Sequence, residues 1–166
     1  MAKVRVLFLC TGNTCRSPMA AALLKRALEA ELGQSEAQKV EVSSAGLAAI
    51  PGSMASPQAM AVLREEGLDL TAHRAQQVTR EMLKAADLIL TMTRRQKEFL
   101  LEWDPATRGK VWTLGEVSAL AGKDTAETQD ICDPFRQGEE VYRSVREDIK
   151  ASLDPLVTYI KKILTK

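Results

Sequence analysis

Val6-Leu7-Phe8-Leu9-Cys10-Thr11-Gly12-Asn13-Thr14-Cys15-Arg16-Ser17-Pro18 is the stretch that decides how the chain is read. An apolar run enters a cysteine, a short loop with a glycine follows, and an arginine closes it. Ser17 is a good helix N-cap. Pro18 suits the first helical position, where its missing N–H would be unpaired anyway. Met19 to Leu28 is rich in strong helix formers. The stretch therefore predicts a buried strand, a tight loop and a helix.

That geometry makes an anion site. Successive loop N–H groups converge on one point, and the helix N-terminus adds partial positive charge. Arg16 brings a planar fork of donors that matches phosphate oxygens two at a time. Cys10 stands on the rim of the same cradle, where the helix end and a cation favour the thiolate. A thiolate facing a bound phosphate is a nucleophile for phosphoryl transfer. A cysteine at a strand end is more often a small buried hydrophobe. Here strand, cysteine, Gly-Asn loop, arginine, cap and helix agree, and the functional reading leads.

Outward from this stretch, bulk properties narrow the class. With 166 residues, 27% of them charged, one domain spanning 1–166 with a real core is expected. Net charge is +1, from 23 basic and 22 acidic residues, which favours neither a nucleic-acid nor a membrane partner. No apolar run approaches a membrane span. Met1 to Arg5 leads straight into a strand and does not read as a signal peptide. Three cysteines, an odd number, argue against a disulfide scaffold and for a reducing cytoplasm. A monomer is expected.

Val4 to Leu9 reads as a fully buried parallel strand. The helix from about Pro18 should end near Gly33, with Gln34 to Gln38 a loop. Lys39 to Ala45 alternates as a second strand, ended by Gly46. Ser56-Pro57 repeats the cap-and-proline start, so Gln58 to Glu66 reads as a helix closed by Gly67. Leu68 to Gln77 is irregular and contains His73, the only histidine. Thr79 caps a short helix over Arg80 to Ala85. Asp87 to Met92 is a third strand, and Thr93 caps a helix through about Trp103. Lys110 to Leu114 is a short fourth strand. Gly115 to Ile131 reads as a long polar connection, a length often tied to function. From Glu139 a helical pattern returns, and Pro155 should kink it or split it in two. Alternation of strands and helices gives an α/β fold: an open four-stranded parallel sheet, helices on both faces, and the cysteine loop after the first strand. Sites in such sheets lie at the strands' C-terminal ends, where Cys10 is.

Phosphoryl transfer to a thiolate needs a proton for the leaving group. Asp133 precedes a proline and follows a long loop that can fold over the site. Asp104-Pro105 and Asp154-Pro155 are also Asp-Pro pairs, so residue chemistry alone gives Asp133 only a modest edge. A zinc site from Cys10, Cys15, Cys132 and His73 lacks paired finger-like spacing and is rejected. No metal or cofactor is implied.

The run Cys10 to Pro18 resembles the signature of the low-molecular-weight protein tyrosine phosphatase family, and its Thr14 variant resembles the bacterial protein arginine phosphatase branch. The resemblance covers nearly the whole chain. It implies Cys10 as nucleophile, Arg16 as phosphate ligand, and loop residues Thr11, Gly12, Asn13, Thr14, Cys15 and Ser17 as the phosphate and substrate cradle. It selects Asp133, in Asp133-Pro134-Phe135, as general acid. The family's usual aromatic after Phe135 is replaced by Arg136, which counts against tyrosine substrates. Tyrosine-specific members commonly carry isoleucine where Thr14 stands; a threonine narrows the pocket and favours a phosphorylated guanidinium. Both residues are β-branched, so the exchange could also be silent. By resemblance His73 joins Asn13, Ser17 and Ser44 in a network that props the loop open. Cys15, five residues after Cys10, could form a reversible disulfide with it or fill space behind the loop. Cys132 receives no role.

Arsenate reductases share the fold and a similar loop, yet need further cysteines, and Leu68 to Trp112 has none. A binding module that had lost catalysis would lack the nucleophile or the acid, and both are present. The expected function is a cysteine-dependent phosphatase acting on phosphoarginine residues of phosphorylated protein substrates through a phosphocysteine. Phosphotyrosine is the alternative.

Overall fold

The computed structural model describes residues 4–122 and 130–165. Four parallel strands form one sheet: β1 (Val4–Cys10), β2 (Val40–Gly46), β3 (Leu88–Thr91) and β4 (Val111–Thr113), in the order β2-β1-β3-β4. Central β1 is buried on both faces from Val6 onward, as its apolar run Val6 to Cys10 requires, with only Arg5 exposed. Val4, Val6, Phe8 and Cys10 face one core, and Leu7 and Leu9 face the other. The first core is covered by α1 (Arg16–Ala37), α2 (Pro57–Arg64), α5 (Val117–Leu120), α6 (Glu139–Ala151) and α7 (Leu153–Leu164). The second lies under α3 (Arg80–Ala85) and α4 (Arg94–Trp103). The expected α/β sheet with helices on both faces is what forms.

Several local expectations are corrected. Helix α1 begins at Arg16, not at Pro18, and Ser17 is not its cap; Cys15 takes that place without a side-chain bond to the helix amides. Ser17 spends its hydroxyl on Cys10 and Asn13 instead. Pro18 still falls in the first turn, where no N–H is missed. At Gly33 the backbone swings to φ +78, and one more helical turn follows, with Gln38 N–H on the Gln34 carbonyl at 3.1 Å. Gln34 to Gln38 is therefore not a plain loop. The connection from Gly115 starts with a capping box at Thr113 and the short α5. Its residues 123–129 lie outside the described residues. Around Pro155 the chain forms two consecutive helices that meet at Ser152.

Ion pairs fasten α2 to its neighbours. Glu65 pairs with Arg143 and Arg146, and Glu66 with Arg26 and Lys150. Hydrogen bonds from these cations hold both carboxyls down at about 2. Among the described residues no helix is long and apolar enough to cross a membrane.

Candidate active site

The loop between β1 and α1 sits where the chain parts to opposite sides of the sheet, with β2 on one flank of β1 and β3 on the other. Ligands in open α/β sheets bind at such a crevice. The loop's carbonyls are held from outside. Leu47 N–H donates to the Cys10 carbonyl and Ala48 N–H to that of Thr11, each at 2.9 Å. His73 Nε2 donates to the Asn13 carbonyl at 2.7 Å, and Ser56 N–H to that of Thr14 at 2.9 Å. A trans peptide points its C=O and N–H in opposite directions, and no peptide among the described residues is cis. The amides of Thr11, Gly12, Thr14 and Cys15 therefore point inward, away from these four anchors.

Asn13 is the hub. It is fully buried and takes φ +57, a left-handed conformation that asparagine tolerates. Its Oδ1 accepts the Gln76 N–H at 3.0 Å, and its Nδ2 donates to Ser17 Oγ at 2.8 Å and Ser44 Oγ at 3.0 Å. Ser17 Oγ lies 2.9 Å from Cys10 Sγ. Because Asn13 already donates to that oxygen, the Ser17 hydrogen is free to turn toward the sulfur. Ser44 and His73, expected in one network with Asn13 and Ser17, are both in bonding contact with Asn13.

Arg16 is buried, and its Nη1 donates to the Ile131 carbonyl at 2.9 Å. Its Nη2 lies 3.8 Å from Asp133 Oδ2, whose side chain is half exposed. Asp133 Oδ1 accepts the Phe135 N–H at 3.1 Å. Cys10, Thr11, Gly12, Thr14, Cys15, Arg16, Asp133 and Phe135 together line a cavity of 150 Å³. The neighbouring Cys132 is exposed. A larger depression of 590 Å³ has Ser44 and His73 in its wall but neither Cys10 nor Arg16. Among the described residues no group of three His, Cys, Asp or Glu could hold a metal ion.

Further supports brace the loop from residues that carry no role in the sequence reading. Gln96 accepts the Met92 and Thr93 amides on Oε1 and donates to Thr11 Oγ1 at 3.2 Å. The Thr93-x-x-Gln96 spacing is a capping-box signal that was there to be read. Gln76 also donates to the Ser44 carbonyl. A Cβ on Gly46 would stand 2.7 Å from the Thr11 carbonyl oxygen, so only glycine lets β2 approach the loop this closely. Cys15 Sγ turns to the Tyr142 hydroxyl at 3.2 Å and to Ser56 Oγ at 3.7 Å, while Cys10 Sγ turns to Ser17. Both cysteines are free thiols. Burial, reinforced by the bond to Cys15, pushes the Tyr142 hydroxyl up to about 12.

The profile of the low molecular weight phosphotyrosine protein phosphatases matches residues 5–166. The chain belongs to that family. It is a protein phosphatase, and phosphorylated proteins are its substrates. Family members similar to it carry two specificities in their names. A protein-arginine-phosphatase of Geobacillus stearothermophilus is 41% identical over 92% of this chain and 93% of its own. A probable low molecular weight protein-tyrosine-phosphatase, EpsP of Ralstonia nicotianae, is 37% identical over 95% of this chain and 97% of its own. Among solved family structures, a cysteine-to-serine mutant of YwlE arginine phosphatase with a phosphorylated active-site serine superposes with a TM-score of 0.84. That structure shares 36% identity and covers 96% of this chain and 97% of the other.

Proposed function

We propose that this phosphatase removes phosphate from phosphoarginine residues of proteins through a phosphocysteine intermediate. The observation that carries the specificity is Thr14, a small β-branched residue in the wall of the 150 Å³ cavity, facing the same space as Cys10 and Asp133. The likeness to the Geobacillus protein-arginine-phosphatase supports it, and the phosphorylated active-site serine of the YwlE mutant supports a covalent step.

In the first step Cys10 Sγ, as thiolate, attacks phosphorus in line with the P–N bond. The inward amides and Arg16 hold the phosphoryl oxygens. Asp133 pairs with the guanidinium and gives its proton to the departing nitrogen as that bond breaks. In the second step Asp133, now a carboxylate, takes a proton from water. The water oxygen attacks phosphorus, the P–S bond breaks, and the thiolate and inorganic phosphate are released. The Ser17 hydroxyl steadies the sulfur in both directions. Positioning and charge stabilisation carry most of the rate, as is usual for phosphoryl transfer.

A phosphotyrosine reading has one observation in its favour, the exposed ring of Phe135 at the cavity rim. Comparison of kcat/KM on phosphoarginine and phosphotyrosine peptides decides between them. The expected result is a strong phosphoarginine preference that relaxes in Thr14→Ile. A phosphotyrosine preference in the unaltered protein overturns the substrate and leaves the mechanism.

A further inference from the structure

We infer that the groove beside the Cys10 cavity seats the polypeptide next to the phosphorylated residue of a protein substrate, and that it selects an apolar side chain there. The inference rests on phosphate being removed at Cys10. At 150 Å³, that cavity has room for a phosphoryl group and the end of one side chain. The rest of the substrate must lie across its rim. A groove of 580 Å³ starts from three residues that also line the cavity, Thr11, Arg16 and Asp133. It extends past Leu47 and Ala48 to α4. Substrate chain leaving the cavity on this side runs onto this groove.

The chemistry of the walls names the preferred occupant. Leu47, Ala48, Phe99 and Ile131 supply apolar surface. Phe99 is 52% exposed, although the next residue on α4, Leu100, is fully buried. An aromatic ring left half in water beside a reaction site gains from being covered. The charged side chains lining the groove balance, Arg16 and Arg95 against Asp130 and Asp133. Selection by one sign of charge is therefore weak, and burial of an apolar side chain against Phe99 dominates.

The test uses the whole protein with p-nitrophenyl phosphate, which has no flanking chain, and phosphopeptides that differ only in the residues beside the phosphorylated one, set to leucine, glycine or glutamate. Leucine on one side is expected to raise kcat/KM about tenfold over glycine, the effect of partly burying one such side chain. In Phe99→Ala the ratio of leucine-peptide to p-nitrophenyl phosphate kcat/KM should fall about tenfold, and Phe99→Glu should lower it at least as far. Equal rates for leucine and glycine with a ratio held within twofold in both variants would overturn the groove, as would preference for glutamate. Release that survives Cys10→Ser would remove the reading beneath it and the groove with it.

Discussion

Asn13, behind the cavity-lining loop, is wholly buried and bonded through every polar atom of its side chain, whereas Asp133, in the cavity wall, is half exposed, and among the described residues its carboxylate meets only the Phe135 amide and, loosely, Arg16. The contrast extends to their segments. The Cys10–Arg16 loop is braced by four outward carbonyls, by Gln96 and by the Ser17–Asn13–Ser44 chain. Residues 130–133 are held by Arg94 N–H on Asp130, Ile131 N–H on the Met92 carbonyl and Arg16 on the Ile131 carbonyl. A wall that fixes phosphoryl oxygens needs stiffness. A wall that meets the substrate and passes a proton needs access. Changes in the first should move stability and activity together, and changes in the second activity alone.

Asp133→Asn is the sharpest way to break this contrast. It should lower kcat by roughly 10²–10³-fold, the size of a general acid's contribution, while the melting temperature stays within about 1 °C of the parent, as for a surface change. A large loss of stability would erase the distinction between the walls. Asn13→Ala comes next. It orphans buried partners and puts alanine in a left-handed position, so a loss of about 3 kcal/mol is expected. Calorimetry should register a fall of roughly 10 °C in Tm, with kcat/KM falling too. Gly46→Ala should cost about 1–3 kcal/mol by overpacking against the Thr11 carbonyl; a variant of unchanged stability and rate would mean the loop yields easily.

The smallest effect is in alkali. The raised Tyr142 value, about 12 against an ordinary 10, means the folded state holds this proton more tightly than the unfolded one. Its contribution is complete below pH 10 and is lost as pH rises toward 12. Unfolding followed across that window should lose this part of its pH dependence in Tyr142→Phe.

What was legible in the sequence follows from how near in the chain the interacting residues lie. Strand, loop and helix from Val4 onward are contiguous, and periodicity with glycine and proline placed them. The helix start at Arg16 was misplaced because a local capping rule lost to a tertiary demand, the pull of Asn13 and Cys10 on the Ser17 hydroxyl. The anchors of the loop are distant in sequence. Gln96 is 85 positions from Thr11 and Tyr142 is 127 from Cys15, and no local pattern links such pairs. Gly46 does end β2 as its place in the sequence predicts, but that its missing side chain admits the loop shows only in the folded chain. Asp133 could be picked from other Asp-Pro pairs only through resemblance, because its exposure and its approach to Arg16 exist only in the folded chain.

Leu47, Ala48, Ser56 and His73 grip the loop from outside, so its inward amides keep their directions whether or not an anion sits among them. A receptor ordered in advance loses little entropy on meeting its ligand. It is equally ready for the ion it has just produced. On the proposed mechanism, inorganic phosphate competes with each new substrate for the same ring of donors. The brace that readies the enzyme for its first step thus becomes a throttle, slowing turnover as phosphate accumulates around it.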